Sequence, residues 1–210
     1  RNSFSGNAFN LFHDMVKTGA APYSAFIDAG NFAVCSASPE LFFTLDGNMI
    51  TCRPMKGTVK RGLTTAEDAV NRNWLQSSEK NRAENIMITD MIRNDLGRIA
   101  DRGSVSVPSL FDTERYPDLW QMTSTIEAQT ACGLTDIMKA LFPCASITGA
   151  PKVRTMEIIS QLEQSPRGIY TGCIGYVAPG RMARFSVAIR TVTIDRNKEI
   201  AEYGTGGGIV

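Results

Sequence analysis

Hydrophobic and polar positions change their spacing along the first quarter of the chain. Apolar residues at helical spacing predict a short amphipathic helix over residues 7–18. Four β-rich runs follow it, at 23–28, 32–36, 41–45 and 49–53. The pairs Gly30-Asn31 and Asp46-Gly47 supply tight turns between runs. The pattern predicts an antiparallel meander after the first helix.

The rest of the chain mixes helical and strand patterns. Helical spacing over 65–99 has Thr64 or Thr65 as a cap, and Ser77-Ser78 predicts a break in it. Further strands are predicted at 104–108, 121–129, 170–177, 184–194 and 199–202, and further helices at 134–141 and 151–163. Because the strands come in antiparallel runs between helical blocks, the pattern predicts an α+β fold rather than a parallel doubly wound sheet.

The amino-acid composition and net charge disfavour some classes of partner. The 210 residues are 43% hydrophobic and 20% charged, which suits one large domain or two small ones. A net charge of +1 gives no indication of a nucleic acid or membrane-surface partner. No apolar run reaches the roughly 18 residues of a membrane span, and no export signal is recognisable. We expect a cytoplasmic protein with no nucleic acid and no membrane partner.

Metal-binding side chains are few. The five cysteines are scattered without a CxxC pair, which favours reduced core thiols. With His13 as the single histidine, a zinc site or a Ser-His-Asp triad is disfavoured. Any metal is therefore expected to be a hard cation held by carboxylates.

Glu40 and Lys56 are the first candidate catalytic pair. They lie sixteen positions apart, each at the end of a predicted strand, so they can converge on one small molecule. A carboxylic acid can protonate a leaving group, and a desolvated amine can attack as a nucleophile. Taken alone, a lysine in a turn is more often an exposed surface residue.

Asn81 and Glu84 are candidate metal ligands. On a helix they are i, i+3 neighbours on one face and can offer two oxygens to Mg²⁺. A solvated charged face is the alternative.

Three features near the carboxyl end are candidates for binding an anion. Gly206, Gly207 and Gly208 allow backbone amides to approach a ligand closely, unless they form a disordered tail. Arg190 lies in an apolar predicted strand and needs a partner, either a substrate carboxylate or an internal acid such as Glu202 or Asp195. Tyr176 adds a hydroxyl or is a core aromatic residue. We expect Arg190 to point into one cavity with Tyr176 and the glycine run, where it can bind a substrate carboxylate.

Eight blocks, taken together and in this order, resemble the chorismate-utilising enzymes. The likeness runs from Tyr23 to Val210, nearly the whole chain. It implies an antiparallel β-sandwich flanked by helices, like anthranilate synthase component I, with residues 1–210 forming the C-terminal portion of a chorismate-binding catalytic domain. The blocks are SASPELFF (36–43), PMKGTVKRG (54–62), EKNRAENIMITDMIRNDLGR (79–98), WQMTSTI (120–126), FPCASITGAPK (142–152), TGCIGY (171–176), FSVAIRT (185–191) and YGTGGGIV (203–210).

Lys56 distinguishes the branches of this family. The run Pro54-Met-Lys-Gly-Thr58 resembles the aminodeoxychorismate synthase branch, whereas anthranilate and isochorismate synthases carry Ala at this position. The resemblance implies amination of chorismate at C4 with ammonia, giving 4-amino-4-deoxychorismate for para-aminobenzoate and folate. Ammonia would come from a glutamine amidotransferase partner, since no glutaminase Cys-His pair is recognisable here.

The resemblance also implies roles for the candidate residues. Glu40 would be the general acid that helps expel the ring hydroxyl, and Lys56 the nucleophile that adds at C2. Glu84 would bind the cofactor Mg²⁺, with Asn81 as a further or water-mediated ligand. The implied substrate contacts are Thr58, Ser146, Tyr176, Arg190, Gly206, Gly207 and Gly208.

The chain departs from the family pattern at three points. Asn81 stands where many members have Asp or Glu, and Gln121 where several have His. The family also has further N-terminal strands and a final acidic helix that supplies other Mg²⁺ carboxylates, so we expect the fold to be incomplete at both ends. Two alternatives stay open, an anthranilate synthase and a non-catalytic chorismate-binding fragment.

Overall fold

The computed structural model describes residues 2–19 and 21–208. Within these residues the helices begin close to predicted capping positions: Thr64 accepts from the amide of Glu67 at 3.2 Å, and Ser78 ends one helix and begins the next. The predicted break at Ser77-Ser78 is therefore confirmed. The helices are α1 Ala8–Thr18, α2 Thr65–Ser77, α3 Glu79–Gly97, α4 Leu134–Leu141 and α5 Lys152–Leu162, with a 3₁₀ turn at Ala145–Ile147.

Every strand pair is antiparallel, and the α+β class with flanking helices is confirmed. The strands are β1 Asn2–Ser3, β2 Tyr23–Asp28, β3 Phe32–Ser38, β4 Leu41–Asp46, β5 Met49–Arg53, β6 Met55–Lys60, β7 Ser106–Arg115, β8 Leu119–Gln129, β9 Cys173–Ala178, β10 Met182–Val187, β11 Thr191–Asp195 and β12 Ile200–Tyr203.

The strands form two sheets. The first has the order β1-β12-β11-β3-β2. The second runs β9-β10-β4-β5 and continues to β8, which also pairs with β6 and β7. The predicted meander is therefore wrong, because the hairpins β2–β3 and β4–β5 belong to different sheets. The chain crosses between them at Pro39-Glu40, where proline has no N–H to continue a ladder.

A second crossover corrects the predicted strand over 184–194. It is two strands, β10 and β11, one in each sheet, joined by residues 188–190. Arg190 lies in this connection with φ at +49°, outside any strand. The expectation that Arg190 is enclosed by an apolar strand is wrong for this reason.

Strand β6 was not predicted, because its sequence has a glycine and two lysines in six residues. It continues the path of β5 beyond Pro54. Cys52 pairs with Ile126, and Met55 pairs with Thr123 three residues further along β8. The two short strands thus lie end to end along one edge of β8, opposite β7.

Each sheet has its own apolar cluster. Helices α3 and α4 cover the larger sheet, where Phe43, Ile50 and Ile126 are buried with Leu96 and Ile137. Helix α1 covers the smaller sheet through a cluster that contains Ala33, Cys35 and Ile194. The described residues include no helix with both the length and the apolarity to cross a membrane.

A charged contact fixes the far end of β6. Asp68 of α2 accepts two hydrogen bonds from Arg61, both at 2.6 Å, and others from the Gly62 amide and the Trp120 indole. These bonds, led by those from Arg61, hold the pKa of Asp68 well below its usual range. At Gly62 a Cβ atom would lie 2.2 Å from the Asp68 amide nitrogen, so only glycine fits. The contact ties β6, α2 and β8 together.

Candidate active site

Glu40 lies at the crossover between the two sheets. Its amide donates to the Ser38 hydroxyl at 3.3 Å, and its carbonyl accepts from the Val187 amide at 3.1 Å. The residue is only 5% exposed. One strand of each sheet, β3 and β10, therefore holds the backbone of the candidate acid in place.

Burial dominates the electrostatics of Glu40 and raises its pKa to about 7. The Ser146 hydroxyl, the Lys56 charge and the Met55 amide act in the opposite direction, because they favour the carboxylate. Among the described residues, no group makes a well-directed hydrogen bond to Oε1. A carboxyl group with such a pKa is partly protonated near neutral pH, which suits a proton donor.

Lys56 lies on a β-bulge. Met55 pairs with Thr123 and Thr58 with Gln121, so β6 has one residue more than β8 over this interval. Gly57 takes the left-handed conformation, with φ at +98°. Lys56 is half-buried and its charge acts on the Glu40 carboxylate. The structure thus brings together the two residues predicted to form the catalytic pair.

Thr58 is exposed, but its hydroxyl is engaged within the protein. It donates to Gln121 Oε1 at 2.8 Å, and Gln121 Nε2 donates to the Gly57 carbonyl at 2.8 Å. The sequence predicted Thr58 as a substrate contact and gave Gln121 only as a departure from the family pattern. Their contact with each other was not predicted.

Ser146 lies on the 3₁₀ turn and interacts with the Glu40 carboxyl. Its hydroxyl lies 3.2 Å from Cys144 Sγ and favours the Glu40 carboxylate. Burial, followed by the charge of Glu40, raises the pKa of the Cys144 thiol to about 12, so this thiol stays protonated. The predicted neighbour Ser146 therefore lies within the site.

The two candidate metal ligands, Asn81 and Glu84, lie half-buried on α3. The Asn81 amide group donates to the Ser78 hydroxyl at 2.9 Å, which leaves its oxygen available. The Glu84 side chain is 19% exposed, and its Oε1 lies 3.9 Å from Lys80 Nζ. Within the described ranges no group of three or more His, Cys, Asp or Glu side chains could hold a metal. Glu84 and Asn81 fit a partial magnesium site, because Mg²⁺ keeps several waters and needs one or two carboxylates.

Arg190 does not lie close to the residues that the sequence groups with it. The exposed Arg190 lines a cavity of about 230 Å³ together with Gln121 and Asp118. Tyr176 lies on β9, is 58% exposed and lines no part of this cavity. The expectation that Arg190 shares its cavity with Tyr176 and the glycine run is therefore wrong. Asp195, proposed as an alternative partner of Arg190, instead pairs with Lys198 at 2.9 Å.

The glycine run follows β12 and is packed only at its beginning. A Cβ atom at Gly204 would lie 2.3 Å from Cγ of Tyr170, and one at Gly206 would lie 2.8 Å from the Tyr170 hydroxyl. Gly207 and Gly208 are exposed and have open space around them. Close packing therefore requires glycine at the start of the run, and its end is open to a ligand.

This combination of fold and site has clear relatives. Over residues 1–210 the chain matches the family described as chorismate binding enzyme, and it belongs to that family. Its curated relatives include a probable chloroplastic aminodeoxychorismate synthase of Oryza sativa subsp. japonica, 44% identical over 97% of this chain and 23% of that protein. Aminodeoxychorismate synthase component 1 of Escherichia coli (strain K12) is 42% identical over 99% of this chain and 46% of that protein.

A solved structure has the same fold as this chain. Anthranilate synthase component I from Streptococcus pneumoniae TIGR4 superposes with a TM-score of 0.83 and 31% identity, covering 91% of this chain and 42% of that one. The chain thus spans less than half the length of each of these relatives. The resemblance read from the sequence is confirmed at the level of the family.

The raised pKa of Glu40 predicts a pH-dependent stability effect. Because its pKa in the folded state lies above the ordinary value of 4.5, the stability contributed by the protonated form is complete below pH 4.5 and is lost as the pH rises through about 7. Glu40→Gln, which cannot ionise, should match the native protein near pH 4.5. Near pH 8 it should be more stable by on the order of 3 kcal/mol, at about 1.4 kcal/mol per pKa unit.

Urea unfolding at the two pH values measures this difference. Glu199→Gln, at an exposed position, is the matched control and should show no comparable change with pH. Equal stabilities of Glu40→Gln and the native protein at both pH values would contradict the burial of an ionisable acid at this crossover.

Proposed function

We propose that this protein aminates chorismate at C4 with ammonia, giving 4-amino-4-deoxychorismate on the route to para-aminobenzoate and folate. The observation that carries the proposal is the half-buried Lys56 on a bulge beside the buried carboxyl of Glu40. The names of the curated relatives support it, since they are aminodeoxychorismate synthases. An amine nucleophile next to a proton donor is the chemistry that this reaction requires.

The reaction proceeds in two displacements. The Lys56 amine adds through its nitrogen lone pair to ring C2, the two ring double bonds shift, and the C4–O bond breaks. Glu40 donates its proton to the departing hydroxyl, which leaves as water. Ammonia then adds at C4, the double bonds shift back and the C2–N bond to Lys56 breaks. The Glu40 carboxylate accepts the proton released by the incoming ammonia, so the net change is replacement of hydroxyl by amine.

The remaining polar groups are proposed to hold chorismate. Ser146 faces the Glu40 carboxyl and lies within reach of the same ligand. Arg190 would grip a carboxylate from the neighbouring cavity, because a guanidinium binds carboxylates with two parallel hydrogen bonds. The further proposed contacts are Thr58, Tyr176 and the amides of Gly206, Gly207 and Gly208.

The proposed cofactor is Mg²⁺, with Glu84 as a carboxylate ligand and Asn81 as a direct or water-mediated one. When bound, the ion would neutralise the ring carboxylate and polarise the ring. Their spacing of three residues puts both side chains on one face of α3, next to the bulge that carries Lys56.

Ammonia is proposed to come from a glutamine amidotransferase partner. The designation component 1 among the bacterial relatives indicates that those proteins act with a second component. The five unpaired cysteines fit the reducing compartment expected from the sequence. The alternative function is anthranilate synthesis, which the solved relative from Streptococcus pneumoniae represents. Lys56 favours amination at C4 over that alternative.

The nucleophile is tested by Lys56→Ala in the full-length protein. Amination at C4 should fall by at least about 100-fold, the scale for loss of a group that takes part in the chemistry, while chorismate binding is retained. Product analysis by mass spectrometry, with ammonia as nitrogen donor, separates aminodeoxychorismate from anthranilate. Lys60→Ala, an exposed lysine of the same strand, is the control. Normal turnover of Lys56→Ala would exclude the covalent role.

The carboxylate grip is tested by Arg190→Lys. This variant keeps the positive charge but loses the planar guanidinium that can donate two parallel hydrogen bonds to a carboxylate. The binding free energy of chorismate should therefore weaken by about 1–3 kcal/mol, the range for hydrogen bonds to charged groups. Calorimetric titration with chorismate and the melting temperature are measured on the same preparation, with the exposed Arg115→Lys as control. A lowered melting temperature with an unchanged dissociation constant would identify Arg190 as a structural residue instead.

Magnesium affinity is tested on this chain without substrate. The described residues contain no cluster of three or more candidate ligands, so we expect weak Mg²⁺ binding that Glu84→Gln removes. Calorimetric titration with MgCl₂ measures both. Saturation at micromolar Mg²⁺, or weak binding that Glu84→Gln leaves unchanged, would show that the ligands lie elsewhere.

A further inference from the structure

The bulge in β6 takes Lys56 and Gly57 out of the regular ladder with β8. Backbone carbonyls displaced from a ladder need other donors when water is excluded. Side chains supply them here. Gln121 Nε2 donates to the Gly57 carbonyl at 2.8 Å, and Asn85 Nδ2 approaches the Lys56 carbonyl at 3.4 Å. Two amide side chains from different elements thus meet the two residues of the bulge.

Gln121 contacts the bulge through both of its polar atoms. Its Oε1 accepts from the Thr58 hydroxyl at 2.8 Å while its Nε2 donates to Gly57. The backbone of Gln121 also pairs with Thr58 across the two strands. The side chain therefore bridges the bulge and the first regular pair after it, and its carbonyl oxygen is already engaged by Thr58.

Asn85 supports the bulge from α3. It is fully buried, and its Oδ1 accepts from the Ser124 hydroxyl at 2.5 Å. Ser124 Oγ accepts in turn from the Phe111 amide at 3.2 Å. This chain of contacts connects β7, β8, α3 and the Lys56 carbonyl, and it fixes the orientation of the Asn85 amide.

Helices α2 and α3 pack against the bulge at Gly57. A Cβ atom at Gly57 would lie 3.1 Å from Cβ of Asn81 and 3.2 Å from Cδ1 of Leu75. The bulge is thus pressed against α2 and α3 and has little room to move.

We propose that Gln121 is a positioning residue, assisted by Asn85, whose amide holds the bulge so that the Lys56 amine points at Glu40. The inference rests on the proposed function for the role of Lys56 but not for the geometry. It gives Gln121 a function that needs no proton transfer: the amide fixes the backbone beneath the nucleophile, and its two contacts require one hydrogen-bond acceptor and one donor.

Chemical labelling of Lys56 tests the geometry independently of turnover. The chain is trace-acetylated with the N-hydroxysuccinimide ester of acetic acid, and each lysine is quantified by peptide mass spectrometry. Gln121→Met keeps the length of the side chain but makes neither hydrogen bond. Release of the bulge should raise the Lys56 acetylation rate by about three- to tenfold, the scale for losing one or two hydrogen bonds, with Lys60 unchanged.

Two further variants sharpen the labelling experiment. Gln129→Met makes the same substitution at the other end of β8 and should leave the Lys56 rate unchanged. Thr58→Val removes only the hydroxyl contact and should raise the rate by a smaller factor. It keeps the test decisive if Gln121→Met fails to fold. A Lys56 rate equal to that of the native protein in folded Gln121→Met, or in Thr58→Val if only that variant folds, would overturn the proposal.

Steady-state kinetics of the full-length protein separate positioning from substrate contact. Positioning predicts that Gln121→Met lowers kcat for amination about tenfold, on the same energy scale, with KM for chorismate unchanged. A raised KM with unchanged kcat and unchanged Lys56 labelling would make Gln121 a substrate contact and overturn the inference. If the native protein forms no aminodeoxychorismate, the proposed function fails, and the labelling comparison still decides whether Gln121 holds the bulge.

Discussion

The desolvation of one carboxyl group organises the site. Glu40 lies where the chain passes between sheets, and its backbone is held on both sides of that crossing by Ser38 and Val187. A carboxylate in this position lacks most of its hydration, so the protonated form is favoured. The Lys56 charge and the Ser146 hydroxyl partly compensate that loss. Lys56 and Ser146, which are both proposed to contact chorismate, are thus also side chains that favour the carboxylate form of this acid.

Local patterns along the sequence predicted most elements but not their membership of sheets. Turn residues and capping residues act over a few positions, so the β2–β3 and β4–β5 hairpins and the break before α3 could be predicted. The crossings at Pro39-Glu40 and at 188–190 depend on pairing between distant strands. For the same reason 184–194 looked like one strand, although β10 and β11 have different neighbours.

In the site, too, local features could be predicted from the sequence, and features that depend on distant contacts could not. Glu40 and Lys56 were paired because their chemistry is complementary, and the structure brings them together. The sequence predicts a strand around Arg190, whereas Arg190 lies in the connection between β10 and β11. Asn85 was missed, although a signal existed: Asn85, Ile88 and Ile92 share the buried face of α3. An amide among apolar positions at helical spacing indicates a buried hydrogen-bond partner, but its identity depends on contacts with remote parts of the chain.

Because of the extra residue in β6, the direction of the Lys56 side chain does not depend on the pairing of β6 with β8. Met55 and Thr58 keep regular partners on β8, and the irregularity is confined to the two residues between them. Residue 56 can therefore be exchanged without altering any cross-strand pair. Evolution can thus change the reactive group on this face by one substitution, because the scaffold does not depend on that side chain. The bulge makes the chemistry of the site exchangeable and leaves the architecture fixed.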